Sequence, residues 1–235
     1  MTFKLDYIIF RFINSVSSAP PAPRPSLHLD SGLKIGYGSP IAALESPIQL
    51  GGGTHFILAR NGRGKTTLLR TIARTLRPVA GSLKTEGALQ YLPEDLRFDQ
   101  EMTAGMILRS LVPKKRLKEA LELAERIELN LKRPYGRLST GNRRKINLIM
   151  AEFSTRPDTG NILLLDEPFS GLDAFARQAF EEIWRSSSDN VLRLVSCHPD
   201  YDSMTLSSAL LIDRSTIRHL TGGDQTWSEL KNLLH

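Results

Sequence analysis

Residues 162–173, ILLLDEPFSGLD, form an apolar run that stops on two adjacent carboxylates, Asp166 and Glu167, and then turns through Pro168 and Gly171. A run that is apolar at every position and flanked by turn formers fits a strand covered on both faces, as in the parallel sheet of an α/β fold. Ligands of such sheets bind outside the carboxyl ends of the strands, which places the two acids at the ligand edge. A metal ion carried on a phosphate gives Asp166 a partner there, and a water awaiting deprotonation gives Glu167 one. Acids decorating a helix N-terminus are the plainer alternative for this segment taken alone.

The segment does not stand alone. About a hundred residues upstream, His55-Phe56-Ile57-Leu58 leads into ARNGRGKTTLLR at residues 59–70, which reads as strand, glycine loop and helix. The phosphate-loop pattern G-x-x-x-x-G-K-[ST] ends here on Gly64, Lys65 and Thr66. Gly62 and Gly64 let the backbone bend around an oxyanion, and successive N–H groups of the loop and helix N-terminus point at it. Lys65 adds a cation, and the Thr66 hydroxyl is a ligand for Mg²⁺. The loop residues expected against a nucleotide are Ala59, Arg60, Asn61, Gly62, Arg63, Gly64, Lys65, Thr66 and Thr67. Ala59 stands where the pattern has its first glycine, and a small change of loop geometry is expected from it.

Three further motifs, in the same order along the chain, resemble those of the ATP-binding cassette (ABC) family. LSTGNRRK at 138–145 is similar to its signature segment, SGLD at 170–173 to its D-loop, and SCHPD at 196–200 to its switch region. The resemblance runs from about residue 26 to the end. It implies an α/β P-loop NTPase fold of ABC type, with a mixed sheet core, an antiparallel β subdomain and a small helical lobe at about 100–152. It also implies the ligands ATP and Mg²⁺. Tyr37 lies 22 residues before Ala59, where the family places an aromatic under the adenine ring.

In the family, ATP is held between two copies, so the resemblance puts Ser139, Thr140 and Gly141 on a nucleotide held by a partner subunit, with Asp173 contacting that second copy. Thr140 stands where glycine is commonest and Asn142 where glutamine is. YLPE at 91–94 occupies the place of the family's glutamine loop, so Glu94 replaces the metal-side glutamine and joins Thr66 and Asp166 as a metal ligand. The expected chemistry is phosphoryl transfer to water. Lys65 neutralises the developing charge, Glu167 activates the water and His198 hydrogen-bonds the γ-phosphate.

Composition narrows the partners. The single cysteine, Cys197, excludes an internal disulfide, and no stretch approaches 18 uninterrupted apolar residues, so the chain is not expected to span a membrane. The resemblance implies a peripheral setting on the cytoplasmic face of the inner membrane, with a homodimer working on a separate integral membrane permease. Export is slightly preferred because STG and YLPE resemble exporter members; import is the close alternative, since KIGYG resembles iron-chelate uptake ATPases. The net charge of +6 gathers in or beside the helical lobe, at Lys114, Lys115, Arg116, Lys118, Lys132, Arg133, Arg137, Arg143, Arg144 and Lys145. A permease with anionic headgroups nearby is favoured over nucleic acid as the reason. Residues 1–25 fall outside the resemblance and read as an apolar, aromatic extension followed by the stiff linker PPAPRP, ahead of a single ATPase domain at 26–235.

Overall fold

A computed structural model describes residues 23–186, 189–197 and 205–234. Its centre is an eight-stranded mixed sheet in the order β2-β3-β11-β10-β5-β9-β8-β7. The strands are β2 (Lys34–Tyr37), β3 (Ser39–Leu44), β5 (Gly53–Leu58), β7 (Ala88–Leu92), β8 (Asn161–Leu165), β9 (Val191–Ser196), β10 (Thr205–Asp213) and β11 (Thr216–Thr226). The four strands β5, β9, β8 and β7 are parallel, with Ile57 opposite Ser196 and Leu165 opposite Val195. Their carboxyl ends therefore open side by side. A separate antiparallel sheet contains β1 (Ser26–Leu29), β4 (Ile48–Leu50) and β6 (Leu83–Glu86), in the order β4-β1-β6.

Every residue of β8 is buried, as expected of a strand covered on both faces. On one face Ile162 and Leu164 pack with Leu68, Leu69 and Ile72 of α1 (Lys65–Ile72) and with Leu27 and Leu29 of the small sheet. On the other, Leu163 and Leu165 pack with Ile146 and Ile149 of α4 (Thr140–Phe153) and Phe180 of α5 (Ala174–Ser186). Each such fully buried aliphatic side chain contributes about 1.5–3 kcal/mol. The helices α2 (Ala104–Leu111) and α3 (Lys114–Arg126) pack on α4 and share this second core through Ile107, Leu108 and Ala124. A short α6 (Trp227–Lys231) follows β11.

The helix after the glycine loop ends at Ile72, because Arg74 adopts φ 61 and the Leu76 N–H returns to Arg70 O at 3.1 Å, a left-handed stop that also bonds an orphan carbonyl. In SPIAALESP, Ser39–Leu44 is strand. It pairs β2 along one edge, and β11 meets it only at Ala43 and Leu44, so Pro40 has no ladder donor to supply on that side.

An ion pair in the interior ties three elements together. The Arg193 guanidinium of β9 meets Glu152 of α4 at 2.7 and 3.0 Å, and the Trp184 indole N–H of α5 donates to the same carboxylate at 2.8 Å. This is the anchor of the end of α4 opposite Ser139.

Candidate functional site

The loop after β5 forms an anion cradle. Gly62 and Gly64 take φ 74 and φ 108, values that strain any residue with a Cβ, and α1 begins after Gly64 with no side chain capping its first amides. Those amides are left for an anion, helped by the positive end of the helix. Ala59 has no positive φ and is fully buried, so its methyl group fits where the pattern has glycine, and its carbonyl accepts from Lys65 Nζ at 3.4 Å. Lys65 Nζ also reaches Asn61 Oδ1 at 3.3 Å and Glu167 Oε1 at 3.2 Å.

A cleft of about 360 Å³ lies over this loop, walled by Asn61, Gly62, Gly64–Thr67, Glu94, Glu167 and Ser170. Residues far apart in sequence are thus brought together, whereas Arg60 and Arg63 are exposed and outside the wall, their backbones closing a turn at 3.2 Å. Beneath the wall, the Asp166 carboxylate is 1% exposed. Its Oδ1 accepts from Thr66 Oγ1 at 3.2 Å and Ser196 Oγ at 2.8 Å, and its Oδ2 from Tyr91 Oη at 3.3 Å.

Glu167 has φ 46, uncommon for any side chain and more so before a proline. Such a conformation costs on the order of 1–3 kcal/mol and persists where neighbours hold it. Ser196 is the neighbour that does so, accepting the Glu167 N–H at 2.8 Å while donating to Asp166. Because β9 lies between β5 and β8, one serine at its end reaches both acids. Sequence reasoning missed Ser196 and Tyr91. A hydroxyl at the carboxyl end of a central strand was the available signal for the first, and nothing in the chain order pointed to the second. Burial, reinforced by the charge of Asp166, pushes the Tyr91 phenol up to about 12, so it stays a hydrogen-bond donor.

The signature segment and the D-loop form a second corner, where Gly141 packs on Gly171. Ser139 caps α4, its Oγ accepting from Asn142 N at 3.2 Å, and both Ser139 and Thr140 are exposed and outside the cleft wall. A Cβ on Gly141 would stand 2.4 Å from Gly171 O, so the backbone of SGLD requires a glycine there. Asp173 caps α5 through Ala176 N and pairs with Lys145 Nζ at 2.7 Å, and these contacts, the lysine first, hold its carboxyl below the usual range. Tyr37 is 60% exposed, with its hydroxyl accepting from Arg70 Nη1 at 3.4 Å. Its hairpin folds over the loop, since a Cβ on Gly64 would lie 3.2 Å from Ile41 Cδ1. His198 lies outside the described residues.

The sequence profile of the ABC transporter family matches residues 50–170, half of the chain and the whole stretch from β5 to Ser170. The chain belongs to the ABC transporter family. It is 33% identical over 135 residues to the ABC transporter ATP-binding protein YtrB of Bacillus subtilis strain 168, which is 52% of this chain and 45% of that protein. To the taurine import ATP-binding protein TauB of Yersinia pestis it is 29% identical over 203 residues, 77% of each chain. To the cytochrome c biogenesis ATP-binding export protein CcmA of Brucella abortus it is 32% identical over 146 residues, 53% of this chain and 62% of that one. The chain thus spans about half the length of the first of these relatives. In fold it is similar to a bacterial Atm1-family ABC exporter with ATP bound, with TM-score 0.68 and 20% identity over 92% of this chain and 41% of that one.

The Thr66 hydroxyl and the Asp166 and Glu94 carboxylates are hard oxygens, the donor chemistry that suits Mg²⁺. Mg²⁺ is commonly held by one or two carboxylates plus substrate phosphates, which such a partial set leaves room for.

Proposed function

We propose that this ABC subunit binds and hydrolyses ATP as one half of a dimer and powers a separate membrane permease from the cytoplasmic face. The observation that carries the reading is the cleft in which the uncapped start of α1, Lys65, Glu94 and Glu167 meet while Ser139 and Thr140 face outward on the same chain. A γ-phosphate in that cleft cannot be capped by its own signature segment, so Ser139, Thr140 and Gly141 of a second copy close it.

Phosphate oxygens compete for Lys65, and its withdrawal releases Glu167 from the 3.2 Å pair to orient or deprotonate a water. Asn61, Gly62, Gly64 and Thr67 supply positioning around the triphosphate, Arg60 and Arg63 the rim of the loop, and Tyr37 a face for the adenine. The γ-phosphate hydrogen bond is assigned to His198 on the family resemblance of SCHPD alone. Asp173, already fixed by Lys145 and the start of α5, presents the D-loop to the partner. Thr66, Asp166 and Glu94 would hold Mg²⁺, which would supply Lewis-acid charge neutralisation for phosphoryl transfer. Among the described residues no helix is long and apolar enough to cross a membrane. Export is preferred over import on the threonine of the signature segment and the glutamate of YLPE.

Glu167→Gln tests the reading. The variant should bind ATP with unchanged affinity, lose at least about a hundredfold in turnover and elute as an ATP-dependent dimer. Hydrolysis at the parent rate overturns the assignment of Glu167.

A further inference from the structure

The loop that carries Glu94 is tied down by its carbonyls. Arg144 Nη1 donates to Glu94 O at 3.0 Å, and Leu96 O accepts from Asn147 Nδ2 and from Tyr135 Oη, each at 3.3 Å. Arg144 and Asn147 lie three residues apart and so share one face of α4. Tyr135 is steadied in turn by Arg143, which donates to Tyr135 O at 3.1 Å with its guanidinium 5.2 Å from the ring centroid. Glu94 belongs to the wall of two spaces, the nucleotide cleft and a cavity of about 120 Å³ that it shares with Thr140, Arg144 and Asn147. Arg144 is 5% exposed, and among the described residues it pairs with no carboxylate. A buried cation in that setting is costly, and what it makes there is a charge-assisted hydrogen bond to a carbonyl, about twice as strong as a neutral one.

We propose that Arg144 is a positioning residue for Glu94, fixing the backbone from which that side chain meets the metal side of the cleft. The need for it comes from the charge of the residue it holds. Glutamate here adds a third carboxylate to a corner that already has Asp166 and Glu167, and like charges at one site disfavour one another. Glu94 is exposed, so a loop free to shift lets the carboxylate swing into water, where the repulsion is weakest. With its carbonyl held by Arg144 one turn into α4, and Leu96 held just beyond, the loop keeps the side chain on the wall where a divalent cation offsets that repulsion. The inference rests on the proposed ATP site and adds to it the residue that sets one of the metal ligands.

Equilibrium ATP binding, measured by titration calorimetry in the non-hydrolysing Glu167→Gln protein, tests this. The readout is the factor by which Mg²⁺ tightens ATP binding relative to the same buffer with EDTA. Arg144→Met should lower that factor about fivefold, part of the weight of one charge-assisted hydrogen bond, while the affinity in EDTA stays within about twofold. Arg144→Lys keeps a cationic donor and should recover most of the loss. With Glu94→Gln already in place the factor is lower from the start, and Arg144→Met should then change it by less than about twofold. Tyr135→Phe leaves Arg144 intact, removes one donor from Leu96 O and should lower the factor about twofold. Equal weakening with and without Mg²⁺ marks a merely structural role and overturns the inference. So does an undiminished factor in both Arg144→Met and Tyr135→Phe, or an effect of Arg144→Met that is the same with and without Glu94→Gln. A parent protein that binds ATP but gains nothing from Mg²⁺ also overturns it and leaves the nucleotide site standing. A parent that binds no ATP in either buffer overturns the site reading itself, and the inference with it.

Discussion

Arg193→Met removes a cation from the interior while leaving an unbranched apolar stem there. Both members of the pair with Glu152 are 3% exposed, and the guanidinium approaches the carboxylate through two nitrogens. After the substitution, the Glu152 carboxylate keeps the Trp184 indole as its partner among the described residues, which is one hydrogen bond for a buried charge. Breaking a buried pair from one side costs about 3–5 kcal/mol. For a chain of this size that is a fall in Tm of about 10 °C. Adding Glu152→Gln should reverse much of the loss, because the amide oxygen still accepts from Trp184 and carries no charge, and roughly 2 kcal/mol or more should return. Urea unfolding followed by both tryptophan fluorescence and far-ultraviolet circular dichroism measures the two variants, and coincident transitions license the comparison. A loss under about 1 kcal/mol in Arg193→Met, or a double variant no more stable than the single, refutes the reasoning.

Other outcomes follow from the same geometry. Ser196→Ala removes the bond that holds Glu167 at φ 46 and one donor of Asp166, so turnover should fall about tenfold or more while the fold is retained; a kcat unchanged within twofold contradicts that role. Tyr37→Leu should weaken ATP binding about three- to tenfold and spare kcat, the scale of one aromatic stack, as read by calorimetry and steady-state kinetics. Stability should also depend on pH. His55 and His219 share the Ser208 hydroxyl at 2.7 and 2.8 Å, and burial holds both imidazoles below their usual value of 6.5. The unfolded chain therefore binds more protons as the pH falls below about 6.5, so their contribution is complete above that value and is lost as the pH drops through the folded values. His219→Gln should flatten the decline in unfolding free energy between pH 7.5 and 5.5, and an equal slope in both proteins counts against the assignment.

The acidic strand end and the glycine loop were legible because each is a local rule. Apolar character at every position of 162–165 requires cover on both faces, and glycines at 62 and 64 answer positive φ. The ABC motif order supplied the rest of the candidate list. Strand order was not legible, and it decides the site. Inserting β9 between β5 and β8 places Ser196 against both acids, although 29 residues separate it from Glu167. Pairing β7 with β8 brings Tyr91 to Asp166 across 75 residues, and Arg70 of α1 reaches Tyr37 of β2 across 33. Residue types and short spacings state which atoms can donate, accept or carry charge. Which of them share a carboxylate is fixed by the neighbours each strand takes in the sheet, and those are set by packing between segments far apart in the chain.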